Sequence, residues 1–297
     1  EISACLVGSE MCIRDSCGSF LFLGTLLFQP VGFCTQERMT APPAEKRSLW
    51  QNLTEMWRMQ SYRRILLSGL LRTPSGLMNL LQMTVLSYYF GNNGRTPYVH
   101  YMLLLGIPAF LGQLIAAGAA PKLADKHGAA TTFAQANVFA GLALLAAFAL
   151  FLCRPQQLTQ ALPFTLLILL LFCNMFCCGL VNTVQSILIA DAADLTEKES
   201  GIRRDGIFVS GQSLLIKLST GVSALLQGLV FSISGFSGTA VRQINRALYA
   251  GADFATDPSF ATPRFAMFFL FLCLPGIAYL LSALPYRKGR NPHKAPV

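Results

Sequence analysis

The 297 residues are 53% hydrophobic and only 12% charged, against about 25% charged residues in soluble globular domains. Charge is confined to short stretches between long apolar runs, which excludes a water-soluble fold for most of the chain and fits helices crossing a hydrocarbon layer of roughly 30 Å. The net charge of +9 is therefore expected to mark basic residues held on the cytoplasmic side. It does not point to nucleic-acid binding, because no basic stretch is interleaved with aromatics on a polar face.

Taken in chain order, the first residues stand apart. Leu6 to Asp15 resembles a translated transposon-end adapter. Residues 1–16 are accordingly expected to be an artefact outside the fold. Seven apolar segments follow, at about 17–34, 65–90, 98–120, 130–152, 161–190, 206–234 and 264–285. Each is long enough to span at about 20 residues per crossing. Segment 17–34 also admits a reading as the apolar region of a signal peptide, although no basic stretch precedes it outside residues 1–16.

The connecting stretches alternate in charge. Residues 35–64, 121–129, 191–205 and 286–297 carry fifteen Lys and Arg, and the opposite set carries five, Arg95, Arg154, Arg242, Arg246 and Arg264. The positive-inside rule makes the first set cytoplasmic, with the C-terminus inside. Residues 35–64 form the longest connector, with Pro42–Pro43 and then a stretch from Trp50 to Tyr62 suited to a surface helix. A long basic connector followed by six apolar segments matches transporters built from two six-helix bundles. The expected fold is all-α and transmembrane, with about seven spans. On this plan 17–34 is the last helix of an N-terminal bundle, 35–64 is the central cytoplasmic loop, 65–285 is a six-helix C-terminal bundle and 286–297 is a cytoplasmic tail.

Nine cysteines and three histidines occur, with no CxxC or Cys/His spacing of a zinc site. No metal or cofactor is expected. Polar residues inside spans carry more information, since a charge at the bilayer centre costs roughly 2.5–3.5 kcal/mol. Lys217 lies eleven residues into segment 206–234, about 16 Å deep at 1.5 Å per residue. Ser210, Ser213, Lys217, Thr220 and Gln227 make one stripe at helical spacing. Gly221 and Gly228 lie beside it, where helix backbones are expected to pack closely. Lys217 is read either as a solute-facing cation or as a lysine packed against helix-end carbonyls.

Arg72 is about 12 Å deep, in Arg72-Thr73-Pro74-Ser75-Gly76, where Pro74 should kink the helix. It is either a gate or site residue or a structural anchor. Asn174, Cys178, Asn182 and Gln185 form a second stripe, and Ser75, Asn79, Gln82 and Tyr89 a third. Amides and phenols both donate and accept, which suits a hydroxylated solute. Interhelical hydrogen bonding is the competing use.

Loop 191–205 places Asp191, Asp194 and Glu197 before Arg203 and Arg204. The first part can extend the preceding helix, Gly201 permits a turn, and a new helix should start near Gly206. Ion pairs here that form in one state and break in another would make a cytoplasmic gate, with a solvated topology-setting loop as the alternative.

This loop, followed by Gln212 and Lys217, resembles the helix 10–11 motif of the glycoside–pentoside–hexuronide:cation symporters, the melibiose permease-like branch of the major facilitator superfamily. The match rests on Asp191, Asp194, Glu197, Gly201, Arg203 and Gly206, and it departs at Leu195, where the family has tyrosine. Pro121 to Gly128 and Thr35 to Arg38 are similar to two shorter family segments. The resemblance covers about 17–290. It implies cation-coupled symport of a sugar or similar small polar solute by alternating access in the bacterial inner membrane. It also implies a site role for Lys217, and a Na+ or H+ site on acids of an N-terminal bundle not included in this chain.

The expected solute contacts are Lys217, Ser213, Thr220, Gln212, Asn182, Gln185, Asn79, Gln82 and Tyr89. The expected cytoplasmic gate is Asp191, Asp194, Glu197, Arg203, Arg204 and Arg72. The expected partners are the solute, the bilayer and the N-terminal bundle. Three rivals stay open: a carrier of lipid, drug or nucleoside, a non-transporting sensor, and a membrane enzyme using Asp191 and Asp194 as paired carboxylates.

Overall fold

The computed structural model describes residues 22, 25, 26, 54, 57–92, 99–200, 205–233 and 238–287. The chain divides into two compact units, 1–48 and 49–297. Residues 22, 25 and 26 of the first are helical. Residues 1–16, the rest of 17–34, loop residues Gly201, Arg203 and Arg204, and the tail from residue 288 lie outside the described residues.

Among its described residues the second unit is built of helices joined by short turns, as its apolar periodicity requires. It starts with a run interrupted by a turn: α1 (Gln60–Leu71), a 3-10 turn (Thr73–Gly76), α2 (Leu77–Val85) and a π turn (Leu86–Phe90). There follow α3 (Val99–His127), α4 (Ala129–Cys153), α5 (Ala161–Ser200), α6 (Asp205–Ile233) and α7 (Gly238–Ala250). A 3-10 turn at Pro258–Phe260 leads into α8 (Ala261–Phe268), a second π turn (Phe269–Cys273), α9 (Leu274–Ser282) and α10 (Leu284–Arg287). Among the described residues five helical stretches are long and apolar enough to cross a membrane: α3, α4, α5 to Lys198, α6 from Phe208, and Pro258–Tyr286.

The break in the first run has a local cause. Pro74 has no N–H for the carbonyl of Leu70 four residues back, and the Thr73 hydroxyl donates to that carbonyl instead, at 2.8 Å. The Thr73 carbonyl in turn accepts from Ser219 Oγ at 2.8 Å and Ser223 Oγ at 3.0 Å. Both are on α6, so α6 closes the hydrogen bonds that the turn opens, as a helix break within a bilayer requires. A Cβ on Gly76 would lie 2.7 Å from Ser223 Oγ, so only glycine lets α6 come this near.

At the centre, α5 packs along both α3 and α4. The α3–α5 approach runs through small residues: a Cβ on Gly179 would sit 2.7 Å from the Ala116 methyl and 3.0 Å from the Gln113 backbone. Close packing was expected instead at Gly221 and Gly228, and the structure corrects this. Neither meets any described atom within 4 Å, because they lie on a face of α6 turned away from the bundle.

The connector expected at 121–129 is also shorter. Helix α3 continues to His127 with Pro121 inside it, and Gly128, at φ 85°, makes the turn alone. Helix α5, at 40 residues, is about 60 Å long, twice the hydrocarbon thickness. Its last turns, from Asp191 onward, therefore project beyond the layer.

Two clusters fix the ends. At the end where α1 begins, Tyr62, Ile65, Ile189, Ala192, Ala193 and Phe208 pack together. There the Tyr62 hydroxyl donates to the Phe208 carbonyl at 2.8 Å and ties α1 to the start of α6. The far end is aromatic, with Phe151 and Phe268 stacked at 4.2 Å and Tyr89, Phe90, Phe164 and Phe254 buried nearby.

Candidate functional site

The 3-10 turn puts Arg72 at the junction of α1 and α2, where the helix axis breaks and side chains on either side face one space. That space is a cleft of about 580 Å³ bordered by the α1–α2 run, α3, α5, α6 and α9. Its polar lining includes Arg72, Ser75, Asn79, Gln113, Asn182, Gln185, Gln212, Ser219 and Thr220, and Cys178 and Tyr279 complete one side. Among the described residues Arg72 is the sole charged one in this lining, and none of their carboxylates borders the cleft.

The side chains divide into committed and uncommitted groups. Arg72 Nη2 donates to Gln185 Oε1 at 2.7 Å, and burial of Gln185 holds that acceptor in place. Cys178 Sγ and the Tyr279 hydroxyl lie 3.0 Å apart, both buried. The Ser219 hydroxyl is taken by Thr73, and the Thr220 hydroxyl donates to the Ile216 carbonyl at 3.1 Å. Asn79, Asn182 and Gln212 have no side-chain partner among the described residues. The cleft therefore offers one cation with an open guanidinium fork and three free amides, each able to donate and accept.

The residues anticipated from sequence separate accordingly. Arg72, Asn79, Asn182, Gln185, Gln212 and Thr220 line the cleft. Ser213, Lys217 and Gln82 are exposed and lie outside the lining. At 100° per residue, Gln212, Ile216, Ser219 and Thr220 share an arc of about 100° on α6, and Ser213 and Lys217 fall on the next strip round.

Tyr89 is buried at the far end. Its hydroxyl donates to the Pro155 carbonyl at 2.9 Å and accepts from the Leu158 N–H at 3.4 Å. The π turn at Leu86–Phe90 takes in an extra residue per turn, which rotates Tyr89 off the line of Ser75 and Asn79. Asn174, at the other end of its stripe, is fully buried and donates to the Ala140 carbonyl at 3.2 Å. Asp191 and Glu197 are half-buried and Asp194 exposed on the projecting end of α5.

Sequence reasoning missed Gln113, Ser219 and Tyr279 as lining residues. Gln113 carried a usable signal as an isolated amide in an apolar run, with small residues Gly112 and Ala116 beside it on the packed face.

The description MFS/sugar transport protein matches residues 9–288. The chain is 26% identical over 274 residues to the inner membrane symporter YicJ of Escherichia coli K12, covering 90% of this chain and 52% of that protein. It is also 26% identical over 167 residues to an uncharacterized 29.9 kDa protein from the crtE 3' region of Pseudescherichia vulneris, covering 56% of each. The chain thus spans about half the length of the curated relatives it matches. The family model covers most of the chain, and the chain belongs to the MFS/sugar transport protein family.

Proposed function

We propose that the chain forms one wall of a secondary active transporter that carries a sugar or similar small polar solute together with Na+ or H+ by alternating access. Its setting would be the bacterial inner membrane, with the C-terminus in the cytoplasm. The observation that carries this reading is the cleft at the Arg72 turn, where one open cation and three free amides converge in about 580 Å³. Such a space suits a hydroxylated molecule, since each amide matches a hydroxyl as donor or acceptor. Asn79, Asn182, Gln185 and Gln212 are the proposed solute contacts, with Arg72 at the turn.

Among the described residues no carboxylate lines the cleft, so the coupling cation would bind acids elsewhere, in a bundle facing this one. Lys217, Ser213 and Gln82 would act, if they touch solute, from the exposed rim that such a bundle would cover. Asp191, Asp194 and Glu197, with Arg203 and Arg204, remain the proposed cytoplasmic gate. The start of α6 is tied to α1 by Tyr62, so motion of the α5–α6 connection would reach the Arg72 turn.

The test is uptake by the intact membrane protein in proteoliposomes. Radiolabelled mono- and disaccharides and their glycosides are offered with and without an imposed Na+ or proton gradient. Accumulation of one of them driven by a gradient, and its loss in Asn182→Leu, is the expected outcome. Passive equilibration or none across the whole panel contradicts cation-coupled transport.

A further inference from the structure

Among the described residues one buried side-chain polar atom has no hydrogen-bond partner, the hydroxyl of Tyr286. Native structures seldom leave such a group unpaired, because it gives up water and gains nothing in return. The residue is not loosely held. Its ring lies 5.0 Å from that of Phe133. It packs against two clusters at once, one through Ala116, Phe133 and Val184 and the other through Tyr62 and Ile65. It therefore joins α3, α4 and α5 to α1 at the end where α1 begins. Tyr286 does not line the cleft, so cleft water does not reach the hydroxyl.

The register of the neighbouring helices shows what stands beside it. Leu77 and Leu81 of α2 meet Leu270 and Leu274. Ser68 of α1 donates to the Ser282 carbonyl at 2.7 Å, and Tyr286 packs on the cluster of Tyr62 and Ile65. Numbers fall along one run as they rise along the other, so the two are antiparallel. One turn before Ser68 is Arg64, and one turn beyond Ser282 is Tyr286. These two therefore stand side by side, where α10 packs on α1. The charges that reach the Tyr286 hydroxyl are those of Arg64 and Arg72. Arg72 is committed to Gln185. Arg64 is half-buried and has no side-chain partner among the described residues.

An unpaired guanidinium thus lies beside an unpaired phenol, and the two do not bond in this conformation. A slide of one helix along its neighbour, a common mode of switching in packed bundles, is the motion that would join them.

We propose that Tyr286 is a conformational latch. Its hydroxyl is stranded in this conformation and accepts from the Arg64 guanidinium in the alternate one. The same atom then raises the energy of one state and lowers that of the other. The inference goes beyond the transporter reading and rests on its two alternating conformations.

The experiment uses the intact protein and needs no known solute. Tyr286→Phe keeps the ring and removes the stranded hydroxyl, so it should raise melting of the detergent-solubilised protein by about 2 °C or more. State populations are read with Asn182→Cys, in a background without other cysteines, as the ratio of labelling rates by an impermeant thiol reagent in right-side-out and inverted vesicles. Tyr286→Phe should move that ratio by about tenfold, the scale of one hydrogen bond to a charged group. Arg64→Gln should move it in the same direction, and the double variant should match Tyr286→Phe alone, because a latch is lost only once.

A fall in melting in Tyr286→Phe would mean that a buried water or a lipid group already holds the hydroxyl, and the latch is overturned. An unchanged labelling ratio overturns it too, as does a double variant whose shift is the product of the single ones. In each of these cases two-sided labelling leaves the transporter reading standing. Labelling from neither side before Tyr286 is changed removes alternating access, and the latch falls with it.

Discussion

Arg72 and Arg264 are the same residue in opposite circumstances. Arg264, at the start of the last span, is 4% exposed. Its Nη1 donates to the carbonyls of Phe254 at 2.9 Å, Ala255 at 2.7 Å and Asp257 at 3.4 Å. It serves as a fixed brace that satisfies a loop whose backbone would otherwise be buried without donors. Arg72 borders a cleft and meets one neutral amide. The contrast teaches that depth in an apolar sequence does not assign a role to a charge. What assigns it is whether the surroundings have already used the donors.

Removing the brace should produce the largest effect. Arg264→Met leaves the Phe254 and Ala255 carbonyls short of a donor, at roughly 1–3 kcal/mol each for a buried unsatisfied group, while the Asp257 carbonyl keeps the N–H of Phe260. Melting of the detergent-solubilised protein should fall sharply, and recovery of folded protein with it. Arg72→Met should cost less than Arg264→Met, about 1–3 kcal/mol for the one charged hydrogen bond to buried Gln185, while solute uptake is abolished. Equal loss of stability in the two variants would break the comparison.

The packing that holds the cleft comes next. Gly76→Val drives a side chain into Ser223, and Gly179→Val drives one into Ala116. Each should cost about 1–3 kcal/mol as overpacking. Gly76→Val should also disturb uptake through the Arg72 turn, whereas Gly179→Val, at the α3–α5 seam against Gln113, should act on stability first. Thr73→Val should cost about 1 kcal/mol, because Leu70 loses the hydroxyl that replaces the missing Pro74 N–H.

The smallest effect should come from the outer loop. The N–H and hydroxyl of Ser259, at 2.9 and 2.7 Å, hold the Asp257 carboxyl below the usual carboxylate range. Its contribution is therefore present at neutral pH and is lost as pH falls through that lowered value. Asp257→Asn should remove this part of the acid dependence of melting and lower melting slightly at neutral pH, where the carboxylate's contribution is present.

Much of this organisation was legible in the residues, and the limits have physical causes. Apolar length marked the spans, and Pro74 marked the turn, because a missing N–H acts within four residues. Continuation of α5 past Asp191 was legible for the same reason: nothing in Asp191 to Ser200 breaks a helix. Rotation of a helix about its own axis is set by its neighbours. The stripe through Lys217 has helical period, yet the cleft takes only Thr220 from it, together with Gln212 and Ser219 of the adjoining strip. Tyr89 left its stripe because a π turn shifted the phase.

Helix α7 was missed although Ile244 and Leu248 are buried. Its arginines made residues 238–250 read as a loop, and its apolar side is too short for a span. The packing glycines were misassigned because sequence shows which residues are small, not which of them face a partner.

The measurement that bears most directly on the cleft is its accessibility from the two sides of the membrane. Asn182→Cys in a background without other cysteines is treated with a membrane-impermeant thiol reagent, in right-side-out and in inverted vesicles. An alternating-access cleft at the Arg72 turn predicts labelling from both sides, slowed in each case by the transported solute. Labelling from neither side, or labelling that no transported solute slows, would contradict it.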